Sequence, residues 1–241
     1  MTTQKDNFVL SKSESWKMFD EISPRYDLLN HLLSFGLDIL WRKKLGTFLP
    51  KGTELNVLDL ATGTGDVLIT LAQNKNIKKG YGIDLADKML EIGRTKIKHL
   101  DLNNKLVLQH GDANQIPFEN NKFDVITMAF GIRNTPDPKA VLTEMHRVLN
   151  DGGRVLILEF SLPNNKFIRG VHLFYLRNIV PLVGALFSGH YQAYRYLNQT
   201  IETFPYGENF CQLMHSAGLK NITAHPLMFG AASIYQGDKL S

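Results

Sequence analysis

The chain has 241 residues, is 44% hydrophobic, and carries 27 Lys and Arg against 23 Asp and Glu, for a formal charge of +4. That excludes a disordered chain and fits one large globular domain with room for a substantial core. The basic residues are spread out, densest at Arg42-Lys43-Lys44 and residues 75–79, so the mildly basic balance gives no nucleic-acid stripe. Cys211 has no second cysteine to pair with, which fits a reducing compartment. The N-terminus is polar without a signal-peptide core, and no run reaches the roughly eighteen apolar residues of a membrane span, so a cytoplasmic protein is expected.

Residues 1–12 read as a frayed tail. From Ser13 to Leu49 apolar residues recur at helical spacing (Trp16, Phe19, Ile22, then Tyr26, Leu29, Leu33, and later Leu37, Trp41, Leu45). Pro24 is expected to break this pattern, and Ser34-Phe35-Gly36 marks a second turn, giving two or three short helices. They either cover a sheet edge or close as a helical lid or cap over a ligand, with Tyr26, Asn30 and His31 as their polar positions. The remainder, 50–241, reads as the main domain.

Its organising stretch is Val57–Asp66, V-L-D-L-A-T-G-T-G-D. An apolar β-type run meets Gly63 and Gly65, and a helical pattern follows. Glycines there allow positive φ and close approach of a ligand to the backbone. A dinucleotide fingerprint needs a third glycine where Leu68 stands. Asp84 ends the next apolar run, twenty-one residues after Gly63, where a carboxylate accepts from both hydroxyls of a ribose. With Asp59 and Asp66 nearby the pocket is acidic, which suits a cationic sulfonium better than a pyrophosphate.

Strands 54–60, 80–84, 105–110, 123–129 and 153–160 alternate with helices 66–74, 87–99 and 138–149. This is the pattern of an α/β, doubly wound, mostly parallel sheet. Such sheets bind ligands at the carboxyl ends of their strands. Gly63, Asp84, Asp112 and Phe130-Gly131 all fall there. Asp112-Ala113 suits adenine, a carboxylate for the exocyclic amine beside a small residue that leaves room for the ring, although Gly-Asp is also an ordinary turn. Arg133 and Asn134 follow the fourth strand where a reacting group belongs.

Residues 161–206 break the alternation with the most apolar part of the chain, an inserted helical pair interrupted by Arg177-Asn178 and Pro181. It either packs as core or forms a greasy channel or membrane-surface patch. Tyr191, Tyr194, Arg195 and Tyr196 follow, as amphipathic packing or as holders of a polar aromatic headgroup. A helix over 207–217 capped by Gly218, then strands 221–226 and 229–236 as a hairpin with the last strand antiparallel, complete seven strands.

In order, these motifs resemble the UbiE/MenG/COQ5 family of prenylated-quinol C-methyltransferases, class I enzymes dependent on S-adenosylmethionine. The resemblance runs from about Trp16 to Gly237. It rests on Tyr26-Asp27-Leu28-Leu29-Asn30, on Leu58–Asp66, on Phe130-Gly131-Ile132-Arg133-Asn134, on Arg147-Val148-Leu149 through Gly152-Gly153 to Glu159-Phe160-Ser161, and on Tyr194-Arg195-Tyr196-Leu197. Leu29, Asp38, Asn150-Asp151 and Ala129 depart from the family pattern. The resemblance implies S-adenosyl-L-methionine as methyl donor, with Thr62, Gly63, Gly65, Asp84, Asp112 and Ala113 as its contacts. It implies methylation of demethylmenaquinol to menaquinol, the menaquinone branch being the broader; the benzoquinol step of ubiquinone synthesis is the alternative, and a non-catalytic S-adenosylmethionine-binding protein a remoter one.

Arg133 would stabilise developing phenolate charge and Asn134 orient a hydroxyl, while water, His31 or another residue serves as base. No metal is expected. The lipid-soluble quinol adds transient association with the inner face of the membrane, and the apolar insert leaves room for a homodimer. A nucleic-acid methyltransferase would show N-P-P-Y or P-C at its motif positions, and neither is present.

Overall fold

The computed structural model describes residues 12–51, 54–188 and 191–240. The tail read at 1–12, apart from Lys12, lies outside the described residues, as does the side chain of Tyr191. Seven strands form one sheet: β1 (Leu55–Leu60), β2 (Ile77–Asp84), β3 (Leu106–His110), β4 (Phe123–Ala129), β5 (Leu149–Phe160), β6 (Lys220–Leu227) and β7 (Ala232–Asp238). Their order is β3-β2-β1-β4-β5-β7-β6. The first five run parallel, and β7 inserts antiparallel between β5 and β6. Strand order reverses between β1 and β4, which opens a crevice at their carboxyl ends.

The helices are α1 (Ser15–Leu33), α2 (Leu37–Leu45), α3 (Asp66–Ala72), α4 (Asp87–His99), α5 (Pro138–Val148), α6 (Lys166–Phe174), α7 (Val180–Ser188), α8 (Tyr191–Thr203) and α9 (Glu208–Ser216). Apolar runs in the central strands supply both faces of the sheet, because alternate side chains point to opposite sides. Leu58 and Leu60 pack with Val141, Met145, Phe210 and Met214 of α5 and α9. Val57 and Val125 pack with Trp41, Leu68, Leu71 and Leu90 of α2, α3 and α4 on the other face. A third cluster lies above the strand ends, where Met18 and Leu29 of α1 meet Leu176, Val180, Ala193 and Ile201. The insert is therefore three helices rather than a pair, with a π-helical turn, Tyr175–Ile179, joining α6 to α7.

Pro24 does not break α1, against the sequence expectation. Proline removes the N–H that would bond the carbonyl of Asp20. The Ser23 hydroxyl donates to that carbonyl at 2.8 Å instead, so the helix continues. The last strand starts at Ala232 rather than 229, because Met228, Phe229 and Gly230 all take positive φ and form a turn. β5 starts four residues early, at Leu149, and its register against β4 shifts where Gly152 sits at φ 77°.

Candidate active site

The site is built by the loops that leave the parallel strands. After β1 the chain turns through Ala61 (φ 48°), Gly63 (φ 55°) and Gly65 (φ 79°), then enters α3. Phe130, at φ 57°, makes the matching turn after β4. Two non-glycine residues held left-handed at adjacent strand ends cost about 1–3 kcal/mol each, a strain typical of functional sites. Gly131 lets the ends meet: a Cβ there would lie 2.7 Å from the Ala61 Cβ.

Asp59 holds this junction from behind, accepting from Thr62 Oγ1 at 2.7 Å and Thr127 Oγ1 at 2.6 Å. Burial pushes its carboxyl up to about 7. Asp84 ends β2 with Oδ2 accepting from the Gly63 N–H at 2.8 Å and Oδ1 from the Ala86 N–H at 2.9 Å. Burial raises this carboxyl too, with the backbone donors pulling the other way. Each oxygen still has a lone pair toward the cleft, the valence a ribose diol needs. Asp112 Oδ1 accepts from the backbone and side-chain nitrogens of Asn114.

Gly63, Asp84, Asp112, Ala113 and Asn134 line one cleft of about 910 Å³, with Leu85 and Met89 as its apolar walls. A Cβ on Gly63 would meet only Met89 Sδ, at 4.0 Å, so that backbone is open to a ligand. Two carboxylates, open backbone and a small-residue slot fit an adenosyl sulfonium. Thr62 and Gly65 do not line the cleft. Thr62 bonds Asp59, and the Gly65 N–H donates to the Thr62 carbonyl at 2.9 Å, so both shape the loop.

A second cavity, of about 1300 Å³, adjoins the first, and Phe19, Tyr26, Phe130 and Asn134 line both. Its wall is mainly apolar, drawn from α1, α2, the insert and α8. Arg133 and Asn134 sit on a 3₁₀ turn after β4 and are 3% and 8% exposed. Arg133 Nη1 donates to Glu159 Oε1 at 2.7 Å and to the Phe130 carbonyl, and its guanidinium lies 5.3 Å from the Phe160 ring centroid. Arg133 Nε and Asn134 Oδ1 are buried without a hydrogen-bond partner. His31 lines neither cavity; its Nδ1 lies 2.8 Å from Asp38 Oδ2.

Sequence reasoning missed Glu159, although an acid within the apolar run 155–160 was a signal that something must pair it. It also missed the ionic web fastening α1 and α2 to the glycine loop. Lys96 Nζ lies 2.6 Å from Asp27 and 2.6 Å from Asp66, Thr64 Oγ1 donates to Asp27 at 2.7 Å, and Arg42 bridges Asp38 (2.5 Å) and Asp66 (3.5 Å). Apart from the Asp38–Arg42 pair, four residues apart on α2, these partners lie too far apart in sequence to leave a local pattern.

A seven-stranded sheet with an antiparallel seventh strand, and an acidic nucleoside cleft at its switch point, defines a class I S-adenosylmethionine-dependent methyltransferase. The same fold recurs in an S-adenosylmethionine-dependent methyltransferase from Thermotoga maritima (TM-score 0.66, 18% identity, 93% of this chain and 99% of that one) and in another from Methanococcus maripaludis (0.62, 20%, 100% and 98%). The model of the ubiE/COQ5 methyltransferase family matches residues 7–239. The chain is similar to the Demethylmenaquinone methyltransferase of Thermotoga maritima (41% identical, 95% of this chain and 97% of that one). It is equally similar to the Ubiquinone/menaquinone biosynthesis C-methyltransferase UbiE of Geotalea daltonii (41%, 92% and 95%). The chain belongs to the ubiE/COQ5 methyltransferase family, and it is an S-adenosylmethionine-dependent enzyme.

Proposed function

We propose that this enzyme methylates a ring carbon of a prenylated quinol, converting demethylmenaquinol to menaquinol. The observation that carries the reading is the join between an acidic nucleoside-sized cleft and a larger apolar cavity at Phe130 and Asn134. That is the arrangement needed to present a methyl group to an aromatic ring whose tail is greasy. Relatives named for menaquinone, and others named for ubiquinone and menaquinone together, support the quinol class.

Bound S-adenosylmethionine supplies a methyl group on a cationic sulfur. In this reading Asp84 takes the ribose hydroxyls, Asp112 and Ala113 take the adenine, the Gly63 backbone lies along the donor, and Thr62 and Gly65 hold the loop in shape. With the donor bound, a carbon–carbon bond would form at the ring as the carbon–sulfur bond breaks, the sulfur keeping the electron pair and the ring carbon's proton passing to water. The residues 1–49 act as a cap, since α1 walls both cavities, and 50–241 form the methyltransferase domain. Ring alignment at near-attack distance, of order 3–3.5 Å, falls to Phe19, Tyr26 and Phe130. Arg133, fixed by Glu159, stabilises negative charge on the ring oxygen, and Asn134 orients it.

The cavity mouth supports contact with a membrane surface. Phe35 and Met228 line the cavity yet are 79% and 51% exposed, and Phe174 and Phe229 beside them are also exposed. No helix among the described residues is long and apolar enough to cross a bilayer. The test of function is transfer of labelled methyl to reduced demethylmenaquinone in detergent, with the demethylated benzoquinol analogue in parallel. Label in the naphthoquinol is the expected result; label in the benzoquinol alone moves the assignment to the ubiquinone step, and label in neither overturns the reading.

A further inference from the structure

Among the described residues, the buried side-chain atoms without a hydrogen-bond partner are Arg133 Nε, Asn134 Oδ1, His172 Nε2, Tyr196 Oη and Asn198 Oδ1. The first four belong to residues that line the apolar cavity. A buried polar atom left unpaired is destabilising, so four around one otherwise greasy space is an expensive arrangement in the absence of a ligand. A ligand that satisfies them must be mostly apolar and carry oxygen. Of the four, Tyr196 is tied to the reacting end. It projects from α8, the Arg133 charge acts on its phenol, and the Ser15 hydroxyl is within hydrogen-bonding reach of it. Ser15 commits its own proton to the Lys12 carbonyl at 2.9 Å and sits 3.4 Å from the Asn134 carbonyl. The phenol is therefore at the end of the cavity where Asn134 opens to the methyl-donor cleft. Burial raises its pKa from an already alkaline value, so it keeps its proton at neutral pH and acts as a donor.

We propose that the Tyr196 hydroxyl is a catalytic group that donates a hydrogen bond to the quinol oxygen adjacent to the methylated carbon, alongside the Arg133 Nε–H, while Asn134 Oδ1 accepts from the quinol hydroxyl before its proton is lost. The inference rests on the quinol reading above and names a contact within it. That carbon becomes nucleophilic as the neighbouring hydroxyl loses its proton. An O–H donor and a guanidinium aimed at the same oxygen stabilise the resulting quinolate, and no proton leaves Tyr196. His172, held neutral because burial lowers its pKa, is the remaining group for the ring's second oxygen.

The test is Tyr196→Phe, read in three ways. The hydroxyl's neighbour in the free protein is Ser15, so the variant melts close to the wild-type temperature and keeps its affinity for S-adenosylmethionine. Its kcat on reduced demethylmenaquinone falls by about 100-fold, the scale of one lost oxyanion donor. The rising limb of its pH–rate profile moves to higher pH, since a quinol without that donor ionises less readily. A large fall in melting temperature would make the hydroxyl structural, and an unchanged kcat and pH limb would likewise overturn the proposal. Binding of 1-naphthol against naphthalene separates this contact from the choice of substrate. Wild type prefers 1-naphthol and Tyr196→Phe loses that preference. If this holds while wild type methylates no quinol, the oxygen site stands and the substrate reading falls. If wild type methylates quinol and shows no preference for 1-naphthol, the substrate reading stands and the oxygen site falls.

Discussion

Asp84 and Asp59 are both buried acids in the glycine-loop region, and their surroundings set them different tasks. Asp84 turns toward the cleft with two backbone donors fixing its orientation. Asp84→Ala removes an acceptor for the ribose and is expected to weaken S-adenosylmethionine binding by about 2 kcal/mol, roughly thirtyfold, measured by titration calorimetry. Asp59 points into the protein, between two threonine hydroxyls, with its pKa raised to about 7. A carboxyl easier to protonate folded than unfolded binds more protons in the native state, so stability falls as pH rises from about 4 to about 7 and then levels off. Asp59→Asn lacks this term. Its melting temperature relative to wild type is expected to climb across that window and stay flat from pH 8 upward; parallel curves for the two proteins would refute the assignment.

At the scale of elements, α1 is the part most at odds with its sequence and most tied to the site. The Pro24 lesion is local, and so is its repair by Ser23. Ser23→Ala is expected to cost about 1 kcal/mol in wild type and clearly less in a Pro24→Ala background, where the helix regains its own donor. A denaturant-based double-mutant cycle measures the coupling, and additive costs would show that Ser23 does not serve the carbonyl freed by Pro24. The α2 anchor is stiffer. Asp38 is buried with Arg42, Ser34 and His31 around it, and despite the opposing effect of burial their hydrogen bonds and charges hold its carboxyl below the usual range. Arg42→Met leaves that carboxylate with Ser34 and His31 as its remaining partners, at an expected cost of about 2–3 kcal/mol in chemical denaturation.

Strand and helix identity was legible because periodicity and glycine position are local properties. Gly63 and Asp84 were legible for the same reason, each lying at the end of an apolar run. The Ser23 repair was within reach too, since a hydroxyl beside a helical proline can bond the carbonyl the proline frees. What stayed hidden was long-range: the Glu159 partner of Arg133, the Lys96 web, and the distinction between Thr62 behind the loop and Gly63 in the cleft.

On the scale of the whole molecule, the apolar cavity is walled by chain from both halves of the sequence, α1 and α2 on one side and the insert with α8 on the other. Gly184 of α7 packs against the Tyr194 ring of α8, where any added side-chain atom would overlap the ring. Gly184→Ala is therefore expected to open the apolar cavity while sparing the donor cleft, raising KM for quinol with little change in S-adenosylmethionine affinity. Steady-state kinetics and calorimetry on one preparation decide this, and a fall in both affinities would mean that the roof and the floor are one cooperative unit.

If the greasy rim formed by Phe35, Met228 and Phe229 seats on a membrane, as proposed above, it changes how the enzyme counts its substrate. A catalyst resting on a leaflet samples neighbours in two dimensions, and what it meets per unit time is set by surface density rather than by moles per litre. Making up the same amount of quinol in vesicles with more lipid, with every other bulk concentration held constant, spreads it over more area and is expected to slow turnover. Under that proposal the reaction answers to a lever that no soluble metabolite provides: the amount of membrane present.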